Sequence, residues 1–246
     1  MDLGISGRTA AVAAASAGLG FASARALVEE GVRVAVCSRD RERIEAAARA
    51  LGGQAVPIVA DLSDEAGARG FLQRARELLG PIDILVANAG GPPPGQPSTT
   101  PLDAYRAALD LNLLSTIALC QEAVGSMRER RWGRIVAITS SGARQPIPFL
   151  AASSVARAGV TSFLKTLATE VAADGVTVNS IQPGLHATDR VKELGSGEDL
   201  AQRIPARAIG APGDFGRLVA LLASQPARFV TGTSLLVDGG GYPGLI

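Results

Sequence analysis

The residues best suited to chemistry lie where short apolar runs end. The run Thr9–Ala14 leads into Ala15-Ser16-Ala17-Gly18-Leu19-Gly20 and then a helical pattern. Glycines at that junction let the backbone turn tightly and approach a pyrophosphate, which would sit on the helix N-terminus. A tight turn without ligand is the plainer reading of the same residues. The second apolar run ends in Cys37-Ser38-Arg39-Asp40. An acid there would grip the ribose hydroxyls of NAD; Ser38 offers none, and Arg39 can pair with a 2′-phosphate, which favours NADP over NAD. Here the plainer reading is a solvated arginine opening the next helix. His186, the one histidine, has an ordinary pKa of ~6.5 that suits a proton donor near neutrality. A locally bonded loop histidine is its bland alternative. A Ser140–His186 hydrolase pair lacks a nucleophile-elbow motif and ranks low.

Composition narrows the classes. The 246 residues are 47% hydrophobic and 19% charged, enough to bury a large core and too apolar for a disordered chain. Net charge is +1, which leaves no footprint for sequence-independent nucleic-acid binding. The arginines of Met127–Arg134 read as cations at a helix C-terminus, where the dipole favours them. Two cysteines, Cys37 and Cys120, exclude a disulfide scaffold and fit a reducing compartment. A single histidine excludes a multi-histidine metal site, and no metal is expected. Thr9–Val28 superficially resembles a signal peptide, but Asp2 precedes it and Ser16, Gly18, Gly20, Ser23 and Arg25 interrupt it. The expectation is a soluble, cytoplasmic protein with no membrane partner.

The elements that must position these residues alternate along the chain. Apolar runs at Thr9–Ala14, Val32–Cys37, Val56–Ala60, Ile82–Ala87, Arg134–Thr139, Thr177–Gln182 and Ser234–Val237 read as strands. Between them Leu19–Glu30, Arg41–Leu51, Ala66–Leu79, Leu102–Arg130, Ala151–Ala173 and Asp214–Ala223 read as helices. Near-continuously apolar strands separated by helices predict an α/β fold with a parallel sheet covered on both faces. The expectation is a Rossmann-type doubly wound, seven-stranded sheet in a single three-layer domain spanning 1–246. Gly90–Thr100 and Gly184–Gly213 read as loops beyond strand ends, where ligands bind in such sheets.

In order along the chain, the glycine turn is followed by Asp61-Leu62, Asn88-Ala89-Gly90, Asn112, Ser140, Asn179, Pro183-Gly184, Thr188 and Val237-Asp238-Gly239-Gly240. This succession resembles the short-chain dehydrogenase/reductase family over essentially the whole chain. The resemblance implies that Ser16, Gly18, Leu19 and Gly20 hold the pyrophosphate end of NADP or NAD. It implies that Asp61 and Leu62 meet the adenine, and that Asn88, Ala89 and Gly90 support the sheet and the adenosine ribose. Pro183, Gly184 and Thr188 would hold the nicotinamide, and the tail and long helices would pair in a homodimer or homotetramer. The family's chemistry is hydride transfer, with a tyrosine moving the proton, a lysine four residues later, a serine about 13 residues before, and an asparagine carrying a water relay.

The chain departs from that pattern at its centre. Thirteen residues after Ser140 stands Ser153, and four further stands Arg157. Of the two tyrosines, Tyr105 and Tyr242, neither lies between those motifs. A serine hydroxyl is far less acidic than a phenol, whose pKa is ~10. Arg157 keeps its charge and five donors, so ribose binding survives, but it cannot join a deprotonating proton wire. Ala13 and Ala14 replace the first two residues of the family's Thr-Gly-x-x-x-Gly-x-Gly, and the Ala14 methyl would crowd backbone or pyrophosphate or force a shifted cofactor pose, so that cofactor binding is weak or absent. The departures resemble a divergent subgroup close to β-ketoacyl-carrier-protein reductases. Three functions compete: an oxidoreductase acting on a small carbonyl or alcohol substrate with a proton relay altered through Asn112, Ser140, Ser153 or His186; a nucleotide-binding pseudoenzyme; and, weakest, a cofactor-independent lyase.

Overall fold

The computed structural model describes residues 1–192 and 197–245. Of the segment Gly184–Gly213, residues 193–196 lie outside the described residues. Seven strands form one sheet: β1 (Thr9–Val12), β2 (Arg33–Ser38), β3 (Ala55–Val59), β4 (Ile84–Ala87), β5 (Gly133–Ile138), β6 (Val176–Pro183) and β7 (Ser234–Val237). Their order is β3-β2-β1-β4-β5-β6-β7, and every pairing is parallel. The chain therefore grows outward from β1 in one direction and from β4 in the other. The β1–β4 junction, with Ala10 opposite Ile84, is the switch point where such sheets open a crevice.

Strand burial explains the pattern. Val12, Val34, Val36, Leu85, Val86, Ile135 and Val136 are fully buried, because helices cover both faces. One core cluster gathers Phe71, Leu72, Leu119, Met127 and Leu164 under the helices α3 (Glu65–Leu79), α5 (Ser115–Glu129) and α6 (Ala151–Val171). The other gathers Leu27, Ile44, Phe215 and Val219 under α1 (Gly18–Glu29), α2 (Arg41–Leu51) and α9 (Pro212–Leu222). The arginines of the Met127–Arg134 stretch are tied within the chain: Arg128 pairs with Glu170 and Asp174, Arg130 pairs with Asp83, and Arg134 is buried on the Ser224 carbonyl.

Two expectations need correction. Leu102–Arg130 is not one helix. α4 (Leu102–Leu109) and α5 are joined by a π turn at Asp110–Leu114, the register shift that inserts one extra residue and often marks functional sites. By length and composition Leu102–Glu129 is apolar enough to cross a membrane, yet it packs against α3 and α6 as a crossover of the sheet. Gly184–Gly213 is not wholly loop, since it holds the short helices α7 (Asp189–Lys192) and α8 (Gly197–Gln202). Their lack of hydrophobic period hid them, because packing rather than propensity forms such single turns.

Helices α1 and α9 approach closely through Gly216, where a Cβ would lie 2.3 Å from the Ala22 carbonyl oxygen. Gly216→Ala should therefore push the two helices apart and cost about 1–3 kcal/mol. Urea unfolding should show a lower midpoint with an unchanged slope.

Candidate active site

A cleft of about 720 Å³ opens at the carboxyl edge of the sheet, over the switch point. Its floor begins with α1. Helices α2 and α3 start at aspartates whose carboxylates accept from their own first turns, Asp40 from Arg43 N (3.0 Å) and Asp64 from Gly67 N (2.8 Å). α1 starts at Ala17, which has no capping side chain. Its first-turn N–H groups are thus left for an anion. Gly18 has φ +60°, and a Cβ at Gly20 would lie 2.5 Å from the Ala14 carbonyl oxygen and 2.7 Å from Asn88 Nδ2. The cradle is one that only glycine fits, and it matches a dinucleotide's pyrophosphate.

Asn88 fastens this cradle. Its Nδ2 donates to the carbonyls of Ala13 (3.3 Å) and Ala14 (3.1 Å), joining the end of β4 to the turn after β1. Ala14 is held at φ +48°, in the left-handed region that L side chains disfavour. The expected crowding thus appears as backbone strain where the family has glycine, while the methyl packs against the core and lines the cleft.

All fourteen residues assigned to cofactor binding line this one cleft. Ser16, Gly18, Leu19 and Gly20 form its floor, and Arg39, Asp61 and Leu62 form one end. Asn88, Ala89 and Gly90 form one wall, with Arg157 behind them, and Pro183, Gly184 and Thr188 form the opposite wall. Sequence reasoning missed Arg43, which lines the Arg39 end, and Arg190 on α7. Arg43 was legible as a second cation one turn past the Asp40 cap. Arg190 carried no signal.

The catalytic candidates separate. His186 lines the cleft, but its ring is buried edge-on against Phe215, with centroids 5.0 Å apart, and its Nδ1 is 3.3 Å from the Gly184 carbonyl oxygen. Burial lowers its pKa, outweighing the opposing pull of that carbonyl. Asn112, Ser140 and Ser153 do not line the cleft. Asn112 is fully buried in the π turn, and among the described residues both polar atoms of its amide lack a hydrogen-bond partner. Its backbone carbonyl accepts from Thr116 Oγ1 at 2.8 Å. Ser140 Oγ accepts from Gly142 N at 3.0 Å, so it caps a turn. Ser153 is half-buried in the first turn of α6, beside the buried Ser154.

Arg157 is 5% exposed, and its guanidinium donates to the carbonyls of Ile138 (2.8 Å) and Ala89 (3.2 Å). It ties the ends of β5 and β4 together. Burial pushes its pKa down to about 10, so it remains a cation at neutral pH. Tyr105 is half-buried on α4, and the Tyr242 ring lies under Arg144, 5.4 Å from its guanidinium carbon. Burial pushes the Cys37 and Cys120 thiols up to about 12, which leaves them inert. Among the described residues no cluster of His, Cys, Asp or Glu side chains could hold a metal ion.

Comparison with known proteins agrees with this geometry. Residues 13–241 match the family described as enoyl-(acyl carrier protein) reductase. The chain is 35% identical over 242 residues to the 3-oxoacyl-[acyl-carrier-protein] reductase of Synechocystis sp., covering 96% of this chain and 97% of that one. It is 36% identical over 244 residues to nodulation protein G of Azospirillum brasilense, covering 96% and 98%. In three dimensions it resembles L-sorbose reductase of Gluconobacter frateurii, whose crystal structure contains NADPH and L-sorbose, with a TM-score of 0.95 at 30% identity over the full length of both chains.

Two stability changes follow from these residues. Ala14→Gly should remove a left-handed strain of about 1–2 kcal/mol. It gives back about 0.4–1 kcal/mol through the more flexible unfolded chain. The net is a gain of roughly 0.5–1 kcal/mol, visible as a higher Tm. The lowered His186 pKa has the opposite sign to a salt-bridged base. Below about 6.5 the unfolded chain binds the proton more readily than the fold, so stability falls as the pH drops. His186→Gln should flatten that limb of the pH–stability curve.

Proposed function

Because this chain belongs to the short-chain dehydrogenase/reductase family and resembles its 3-oxoacyl-[acyl-carrier-protein] reductases, we propose that it is an NADPH-dependent oxidoreductase acting on a small carbonyl or alcohol. The observation that carries this reading is the gathering of all fourteen expected cofactor residues around one cleft. A bound nicotinamide would supply or accept the hydride. Gly18, Gly20 and the uncapped first turn of α1 would hold its pyrophosphate. Arg39 and Arg43, both exposed at the same end, supply two cations for a 2′-phosphate, while the Asp40 carboxylate is turned toward its own helix. Small size, a cytoplasmic setting and self-association belong to the same proposal. Leu102, Leu114 and Val155, on the expected pairing helices, are 49–70% exposed.

The proton follows a different route from the family's. Ser153 has no acidity near neutrality, Arg157 stays charged, and His186 is held neutral. Water is therefore the donor, held by Asn112 and Ser140, each one residue past the cleft-lining Leu111 and Thr139. The unpartnered amide of Asn112 is the natural anchor for that water, because buried polar groups are satisfied by ordered water when protein partners are lacking. Cofactor binding without turnover is the second reading, carried by Ser153 and Arg157 themselves. The open cleft at Gly18–Gly20 weighs against a lyase that fills its nucleotide site.

A fluorescence titration should show saturable binding of NADPH, tighter than NADH. Replacing Arg39 and Arg43 by alanine should weaken NADPH roughly 10–100-fold and leave NADH nearly unchanged. A carbonyl panel with NADPH then separates turnover from binding alone. The double change Ser153→Tyr, Arg157→Lys should raise any turnover, because it restores a phenol and a lysine on one helix face. No saturable binding of either dinucleotide would overturn the reading.

A further inference from the structure

We infer that Ser154, rather than the Ser153 that the family's count selects, is a positioning residue for proton delivery: with Ser140 it holds one ordered water beside Gly142 that resupplies the proton-donating water. This rests on the oxidoreductase reading above. Ser140 Oγ accepts from Gly142 N (3.0 Å), and Ser154 Oγ accepts from Ile147 N (3.3 Å). Both oxygens are thus engaged as acceptors. Among the described residues neither hydroxyl donates to a protein acceptor. Ser154 differs in this from the other buried hydroxyls on the described helices. Ser23, Ser115 and Thr116 each donate to the carbonyl four residues back, those of Leu19, Leu111 and Asn112. Ser154 is 7% exposed, yet its oxygen is turned to Ile147 and leaves the Leu150 carbonyl alone. A buried O–H without an acceptor is costly, so it calls for a water or a ligand.

The two hydroxyls border one small space. A Cβ added to Gly142 would lie 3.2 Å from Ser140 Oγ, 3.3 Å from Ser154 Oγ and 3.4 Å from Ile147 Cδ1. The missing side chain leaves that space open, and a water in it has two hydroxyl partners, the least a buried water needs. The space exists because α6, which carries Ser154, packs on the turn Ser141–Ala143, which carries Gly142. The loop that carries Ile147 is at the surface, with Gln145, Pro146, Pro148 and Phe149 exposed. Ser140 follows Thr139, which lines the cleft. The pair therefore joins solvent to the cleft. Hydride addition to a carbonyl carbon leaves an alkoxide that needs one proton. The donor water gives that proton and is left as hydroxide. Ser140 passes its proton to the hydroxide and takes one from the shared water. Ser154 restores the shared water and is itself restored from solvent. Each hydroxyl ends as it began, and the net change is one solvent proton moved to the alkoxide.

Crystals of the ligand-free full chain test the water, and kinetics test its use. The unmodified protein should hold an ordered water within about 3.2 Å of both Ser140 Oγ and Ser154 Oγ. That water should be lost in Ser154→Ala, and also in Gly142→Ala, whose methyl fills the space while both hydroxyls remain. Gly142 has no left-handed φ, so alanine suits its backbone. A dry space, or a Ser154 hydroxyl donating to the Leu150 carbonyl, would overturn the inference. With NADPH and a carbonyl substrate, both variants should lower kcat about 100-fold and leave NADPH affinity unchanged. Ser154→Thr, which keeps the hydroxyl, should recover part of that loss. In mixtures of light and heavy water, kcat of the unmodified protein should follow a bowed curve, the mark of several moving protons, and that of both variants a straight line. Unaltered kcat in either variant, or a curve that neither variant changes, also defeats the proposed role. A carbonyl panel without turnover defeats the oxidoreductase reading instead. The crystallographic water then still decides the pair: its presence supports the shared site and its absence overturns it.

Discussion

The amide of Asn88 governs the geometry on which everything else rests. A doubly wound sheet must reverse direction once, and here it does so between β1 and β4. Past β1 the backbone continues through Ala13 N on the Val86 carbonyl and Ala15 N on the Cys37 carbonyl, and the crevice takes a side-chain tie besides. Asn88 supplies it by donating across the junction to Ala13 and Ala14. That bond fixes the turn, the turn aims α1, and α1 presents its bare N–H groups to the cleft. It also fixes the constraint on Gly20, because the same amide and the Ala14 carbonyl occupy the space a side chain would need. The strain at Ala14 is tolerated because the surrounding bonds over-determine the turn.

Arg157 shows how a changed residue alters what a conserved fold can do. A lysine carries one compact ammonium, while a guanidinium carries a planar fork of five donors. In this chain two of those donors are spent on the carbonyls of Ile138 and Ala89. The cation becomes a brace between the ends of β4 and β5. Among the described residues no carboxylate pairs with this buried charge, so it survives through hydrogen bonds to backbone dipoles, and burial lowers its pKa. Such a brace steadies the wall of the cleft and leaves proton movement to other groups. Asn112 fits the same picture: its carbonyl is taken by Thr116, and its amide is buried without a partner.

The helix at Leu102–Arg130 shows where sequence reading stops. Its apolar period runs continuously through Asp110–Leu114, so a single helix is the natural expectation. The π turn there is a local register shift that leaves that period nearly intact, and only the chain's path past α6 reveals it. Asn112 was legible as a site residue, but its placement inside the shift was not. Likewise the equal spacing of Ser140, Ser153 and Arg157 from the family's pattern was legible, while the capping of the Ser140 hydroxyl by its own turn was not.

By itself the sequence determined the fold class and the fourteen expected cofactor residues that the cleft gathers. It did so because strand burial on both faces and glycine at a strand–helix junction are local demands, written wherever they occur. It also fixed the absence of a tyrosine where the proton donor would stand. Tertiary structure decided which cations share an end, as Arg39 and Arg43 do, and which ring nitrogen faces a carbonyl, as in His186. It decided as well that Arg190 meets Pro92, residues nearly a hundred positions apart. Such contacts depend on how two loops from non-adjacent strands fall over the sheet edge, and no spacing along the chain encodes that distance.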